Sequence, residues 1–393
     1  MSDLIHGLEL AEVDDGIRTI ETVRTSVIGL VGTMPDADAE ALPLNTPTLV
    51  IGQRAAAALV DAQVQDPDTG TIGESLSAIH AVCEPIVVVV RIEDPGLGNL
   101  AQVLVGDAVA RTGIYALLNA QAVLGVTPKI LIAPNADGYQ YGGGAGEIDG
   151  APAAAALCAV ADRMRACAVI DGPDTDTADA NHAVQTIGSK RAYLVDPFVE
   201  YQGVIQPASP FVAALISKTD SNVGFWKSPS NEIIPGITGT ARPIDFAHGD
   251  AACEADVLNG FHAAAIIRDG GYRLWGNFTC ETIDPKWKFL TVVRINDAIN
   301  ESIVSNHKWA VDRNITATYV ETVIDGVEDY LRRLTALGAI YGGSCWLDPE
   351  LNTPEGIAAG DVYFDFEFTP VATANKIIFR SHLVNDFIED ALF

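Results

Sequence analysis

Residues 151–197 read APAAAALCAVADRMRACAVIDGPDTDTADANHAVQTIGSKRAYLVDP. The first sixteen are alanine-rich, with Pro152 placed for the opening turn of a helix, where its missing N–H costs nothing. CAVIDGP (167–173) is a short apolar run closed by turn residues and predicts a strand. DTDTADANHAVQTIG (174–188) predicts a capped helix, and RAYLVDP (191–197) a second strand. The alternation extends both ways, to an apolar strand at KILIAP (129–134) and a helix at SPFVAALISKTD (209–220). Strands that are apolar throughout, rather than on alternate residues, predict a mainly parallel sheet with both faces covered.

Upstream, TSVIGLVG (25–32), TPTLVIG (46–52) and EPIVVVVRI (84–92) read as strands. QRAAAALV (53–60) and ESLSAIHAVC (74–83) read as helices, and DAVARTGIYALLNAQAVLG (107–125) as helical with a break near Gly113. After about residue 225 the pattern changes. Helices are expected in the central part of 284–310 and over 320–340, followed by the strands DVYFDFEFTP (361–370) and NKIIFRSHLV (375–384). The fold class is therefore α/β: a mainly parallel sheet domain plus a C-terminal α+β domain, with extended N- and C-terminal strand arms. The expected division is an N-terminal arm over 1–31, the α/β domain over 32–91 and 128–225, and a small insertion over 92–127. The C-terminal α+β domain spans 226–375 and the C-terminal arm 376–393.

The formal charge of −28 disfavours nucleic acid, whose binding requires phosphate neutralisation, and anionic membrane surfaces. No apolar run is long enough to predict a membrane span. The acidic N-terminus does not read as a secretory signal. Six scattered cysteines without a CxxC spacing suit buried free thiols. Charge is uneven: residues 1–90 hold 14 acidic and 3 basic side chains, whereas 268–333 hold 10 acidic and 9 basic. The basic residues mingle with aromatics in DGGYRLWGNFTCETIDPKWKFLTVVRI (269–295). Such a block suits a surface that meets an acidic partner, including an acidic region of another copy, as well as it suits an ordinary mixed-charge face.

No motif carries catalysis. The glycine-rich loop GYQYGGGAGEIDG (138–150) lies between a strand and a helix, where phosphate-cradling turns occur, but lacks GK[ST] and carries Glu147 and Asp149. GGSCW (342–346) imitates part of a papain-type signature without a suitably placed histidine; it reads as a glycine turn with Cys345 and Trp346 in the core. The seven histidines show no metal-ligand spacing. No catalytic, cofactor or metal residue is therefore assigned. An α/β nucleotide-binding enzyme or hydrolase would rest on the strand–helix alternation and the 138–150 loop alone.

Motifs spread along the whole chain resemble the contractile tail sheath proteins, which form the outer cylinder of contractile phage tails and R-type bacteriocins. They include GIRTI (16–20), TSVIGLVGTMPDAD (25–38), PLNTPTLV (43–50), PKILIAP (128–134) and IGSKRAYLVDP (187–197). FWKSPSN (225–231), GTARPIDF (239–246), DGGYRLWGNFTC (269–280), DPKWKFLTVVR (284–294), WAVDRN (309–314), LRRLTALGAIYGG (331–343) and DPELNTPE (348–355) continue the series. The resemblance implies a structural subunit, not an enzyme, without cofactors. Its implied partners are copies of itself in helically stacked six-membered rings, an inner tail tube protein, and baseplate and tail terminator proteins. The implied location is a virion tail or bacteriocin particle assembled in the host bacterial cytoplasm. A sheath-like subunit of a bacterial toxin-delivery or secretion machine is the near alternative.

Subunits that slide while staying linked need tethers, and terminal arms that add strands to a neighbour's sheet supply them. The expected arms are residues 9–24 and 376–393, with Ile17, Arg18, Ile20, Ile377, Phe379, Leu383 and Phe387 as contact residues. The helix at 326–338 corresponds to one that faces the tube in this family. It offers Glu328, Arg332 and Arg333, with Glu328 and Arg332 at i, i+4 spacing.

Overall fold

The computed structural model of the chain describes residues 19–95, 100–134 and 151–385. Its principal sheet begins with β1 (Ile28–Thr33), β2 (Thr48–Ile51), β3 (Ile86–Ile92), β4 (Ile130–Ile132), β5 (Cys167–Asp171) and β6 (Ala192–Asp196). Three short strands, β7 (Val199–Tyr201), β8 (Val204–Gln206) and β9 (Gly239–Thr240), form a small antiparallel sheet. The chain then returns to the principal sheet with β10 (Ala263–Arg268) and β11 (Tyr272–Trp275), giving the order β11-β10-β6-β5-β4-β1-β3-β2. The six inner strands are parallel, and β2 and β11 pair antiparallel at the two edges.

Both faces are buried, as all-apolar strands demand. On one face lie α1 (Gly52–Ala57), α2 (Gly70–Val82) and, later in the chain, α7 (Ser209–Asn222). On the other lie α3 (Leu100–Val105), α4 (Ala120–Leu124), α5 (Pro152–Met164), α6 (Thr177–Ile187) and α8 (Glu254–Gly260). The small buried side chains of α5, among them Ala153, Ala154 and Ala161, suit close packing against the sheet. Asp176 starts α6 by accepting from the N–H groups of Ala178 and Asp179 at 2.8 and 2.9 Å.

The C-terminal unit consists of α9 (Leu290–Asn306), α10 (Ala317–Ala336), β12 (Ile340–Leu347), α11 (Pro354–Ala359) and β13 (Phe364–Pro370). Its core joins Ile295 and Ile299 of α9 to Val327, Tyr330, Leu331 and Leu334 of α10. Helix α9 has a second, charged face. Arg294, Asp297 and Glu301, at i, i+3 and i+7, meet Asp220, Arg191 and Lys129 of the sheet domain in three ion pairs. Arg294 is held in a bidentate pair, with one Nη1–Oδ1 distance of 2.7 Å, and both partners are almost wholly buried. Strong attraction to Asp220 raises its guanidinium further above its ordinary range despite burial.

Four sequence expectations need adjustment. The sheet crosses the division drawn after residue 225, because β10 and β11 lie in the segment given to the C-terminal domain. Residues 107–112 turn rather than continue a helix. The Asp107 carboxylate accepts from the N–H groups of Val109 and Ala110 at 2.8 and 2.6 Å, but the turn closes at once: Arg111 takes a left-handed φ of 57° and the Thr112 N–H donates to the Asp107 carbonyl at 3.1 Å. The glycine turn expected after α10 is instead strand β12, and Trp346 is 38% exposed although Cys345 is buried. Gly343 allows that strand its place, since a Cβ there would sit 2.5 Å from the Glu367 carbonyl oxygen and 3.0 Å from Leu331 of α10. Finally, residues 375–384 are exposed and enter no strand ladder among the described residues. A strand needs a partner edge, and this segment pairs with none among the described residues.

Removing Asp220 would leave Arg294 charged and buried without its partner, a change that typically costs about 3–5 kcal/mol. Asp220→Ala is expected to lower thermal stability sharply, whereas Lys227→Ala, at an exposed pair with Glu232, leaves it nearly unchanged. Circular dichroism melting of the two variants checks this.

Candidate assembly interface

The carboxyl ends of parallel strands are where α/β enzymes place their chemistry. Here that position is used structurally. Asp171, at the end of β5, accepts from the N–H and hydroxyl of Ser209 at 2.6 and 2.5 Å, anchoring the start of α7. Burial pushes its carboxyl up to about 6. Asp196, at the end of β6, is paired with Arg242, which also holds Glu254. Burial likewise pushes the Cys345 thiol up to about 11, the opposite of what a nucleophile requires. Among the described residues no His, Cys, Asp and Glu group has metal-binding geometry, and no helix is long and apolar enough to cross a membrane. The 138–150 loop lies outside the described residues.

The N-terminal contact residues divide. Ile17 and Arg18 lie outside the described residues. Ile20 is buried in its own chain's C-terminal core, with Tyr330 and Leu334 among the other core members. The backbone beyond it is tied down. The Arg333 guanidinium donates to the Ile20 carbonyl at 2.5 Å, Asn306 exchanges two hydrogen bonds with Glu21, and the Val23 N–H donates to Ser302 Oγ at 3.0 Å. Residues 20–23 thus strap α9 and α10 within one subunit.

The C-terminal contact residues are placed differently. Ile377, Phe379 and Leu383 are 70%, 92% and 101% exposed. They occupy odd-numbered positions, so an extended chain directs all three to one side. Phe387 lies outside the described residues. Nearby, β12 and β13 form an antiparallel sheet of two strands, with no third strand on either side among the described residues. Sequence reasoning missed β12 because Gly342 and Gly343 read as a turn. The aromatic and apolar residues around them, Ile340, Tyr341, Trp346 and Leu347, were the signal that a strand continues past the glycines.

Helix α10 packs one face on β12 through Val327, Leu331 and Leu334. Glu328 is half-buried and Arg332 is exposed; together with Thr335, Ala336, Gly342 and Gly343 they line an open groove. The carboxylate nearest both arginines is Asp329 rather than Glu328, at 3.8 Å from Arg332 and 3.5 Å from Arg333. Arg333 is committed to the N-terminal strap and to the face of Tyr330, 5.7 Å from the ring centre. Of the two, Arg332 is the one free to meet another molecule.

Comparison with known proteins bears on what such edges are for. The phage tail sheath protein central domain matches residues 110–280, and the phage tail sheath C-terminal domain matches residues 282–383. A prophage major tail sheath protein of Pseudomonas aeruginosa (strain UCBPP-PA14) is 37% identical over 98% of both chains. The tail sheath protein of Escherichia phage P2 is 30% identical over 99% of this chain and 98% of its own. The helical sheath of the anti-feeding prophage, in its contracted state, shares the fold with a TM-score of 0.73 at 20% identity, covering 97% of this chain and 99% of that one.

Proposed function

The chain belongs to the phage tail sheath proteins, as a structural tail subunit and not an enzyme, and from that we propose that it polymerises with copies of itself around an inner tail tube. The observation that carries this reading is the pairing of an unfilled two-stranded sheet with an exposed apolar C-terminal segment, Ile377, Ile378, Phe379, Leu383 and Val384. Seated on a neighbour's β12–β13 sheet, residues 376–385 would exchange main-chain hydrogen bonds along a whole edge. Burial of Ile377, Phe379 and Leu383 would add roughly 1.5–3 kcal/mol each. Ile17, Arg18 and Phe387 belong to the same proposed linkage.

In this reading the subunits stack helically as six-membered rings, first in an extended and kinetically trapped state. Contraction is rigid-body rearrangement that preserves the strand linkages and drives the tube through a target envelope. The energy resides in contacts between subunits, so no nucleotide is consumed. Arg332 and Glu328, on the open groove of α10, are the proposed tube contacts. Baseplate and terminator proteins cap the polymer, which assembles in the host cytoplasm. The identities of 37% and 30% to phage and prophage sheaths favour a phage-type tail over a toxin-delivery machine.

Negative-stain electron microscopy of the purified full chain, alone and co-expressed with its tube protein, tests the reading. Hollow striated tubes are expected; compact particles under both conditions would refute it. Deleting residues 376–393 is expected to give soluble, folded monomers, and normal tubes would remove the C-terminal linkage. Arg332→Glu is expected to leave empty sheaths intact while abolishing assembly on tubes, and unchanged tube loading would reject that contact.

A further inference from the structure

Three lysines sit together on aromatic faces at one end of the principal sheet. Lys190 Nζ lies 4.2 Å from the Trp287 ring centre and Lys286 Nζ 5.5 Å from the same ring. Lys288 Nζ lies 4.9 Å from Phe278 and 5.1 Å from Phe289. None of the three is ion-paired with a described residue, whereas Lys129 and Lys227 are. In a chain with 52 carboxylates and 24 lysines and arginines, three neighbouring lysines left to aromatic rings form a net positive surface, since the two carboxylates of the same segment, Glu281 and Asp284, are turned to the N–H groups of Ile283, Asp284 and Lys286. It is also anchored: the Cys280 N–H donates to the Ala192 carbonyl at 2.9 Å, and the His262 ring bonds the Thr279 carbonyl at 3.0 Å. Those bonds place the platform at the amino ends of β6 and β10.

The opposite end of the same sheet is negative. Where the chain leaves β1 at Thr33, residues 34–40 lie beside residues 60–68. The Ala37–Val60 bridge and the Asp68 N–H bond to the Asp36 carboxylate, at 2.8 Å, hold them together. These two stretches contain six carboxylates and no lysine or arginine. Arg91 beneath them is spent on the carbonyls of Met34 and Ala37.

We propose that the Lys190–Lys286–Lys288 platform docks on the acidic surface around Glu40 and Asp66 of a second copy of this chain. Because the β strands between them are parallel, the two surfaces sit at opposite ends of one body. Their contact is therefore head-to-tail, and such contacts generate open helices or rings rather than closed dimers. Like ends repel, which fixes the polarity of stacking. The inference rests on the sheath reading and adds a longitudinal, salt-sensitive contact to it.

The experiment compares the critical concentration for assembly, by sedimentation and electron microscopy, of two variants. One carries Lys190→Glu, Lys286→Glu and Lys288→Glu; the other carries Glu40→Lys and Asp66→Lys. Each alone is expected to raise the critical concentration at least tenfold while keeping the wild-type circular dichroism spectrum. An equimolar mixture is expected to assemble, since the introduced glutamates of one variant then face the introduced lysines of the other, and the native pairing is kept at the alternate contact. Assembly of the lysine variant at the wild-type concentration, or two folded variants that fail when mixed, would overturn the proposal. Loss of tube loading with normal empty-sheath assembly would also overturn it, giving the platform to the tube. Wild-type tubes in any of these cases leave the sheath reading standing, whereas their absence from the wild type removes both.

Discussion

A backbone N–H or C=O at a strand edge is an unfilled bond, and a sheet of two strands has an unfilled edge on each side. Such a ribbon is marginal in water by itself. Here α10 supports one face of β12, with Gly343 permitting the close approach, yet the edges stay open among the described residues. The exposed segment after β13 presents the complementary problem, a chain of strand-like character that pairs with no strand among the described residues. Each feature alone would be an aggregation liability, and the proposed linkage between neighbours would satisfy both at once.

A sheet used in this way must be held rigidly to the body of the subunit. Helix α9 provides that attachment through its two faces, one apolar and packed on α10, the other charged and docked on the sheet domain. The buried pairs are costly to desolvate and contribute little net stability, but each specifies one registration of the helix on the sheet. The N-terminal strap, bonded by Ser302, Asn306 and Arg333, closes over the same seam.

The parallel sheet was legible because its strands are apolar on successive residues, and because Pro152 at the first turn of α5 and Asp176 capping α6 mark helix starts between them. Residues 107–112 show where local reading failed: a favourable helical composition ends in a single turn, closed where Arg111 takes a left-handed φ and the Thr112 N–H returns to the Asp107 carbonyl. Glycines misled in a different way. Gly343 serves close packing inside a strand, whereas a Cβ at Gly342 would meet nothing within 4 Å, and only the fold separates the two. The strand-like pattern at 375–384 is exposed and forms no ladder among the described residues, which composition and alternation alone could not show. For the arginines of α10, spacing alone could not separate Arg333, bonded to the distant Ile20 carbonyl, from the exposed Arg332.

Amide hydrogen exchange on isolated subunits and on assembled tubes tests the central claim most directly. The account predicts fast exchange at β12, β13 and residues 375–385 in the subunit, slowed at least tenfold in the tube, with the inner strands of the principal sheet protected in both. Exchange at those edges and in that segment that stays equally fast after assembly would contradict it.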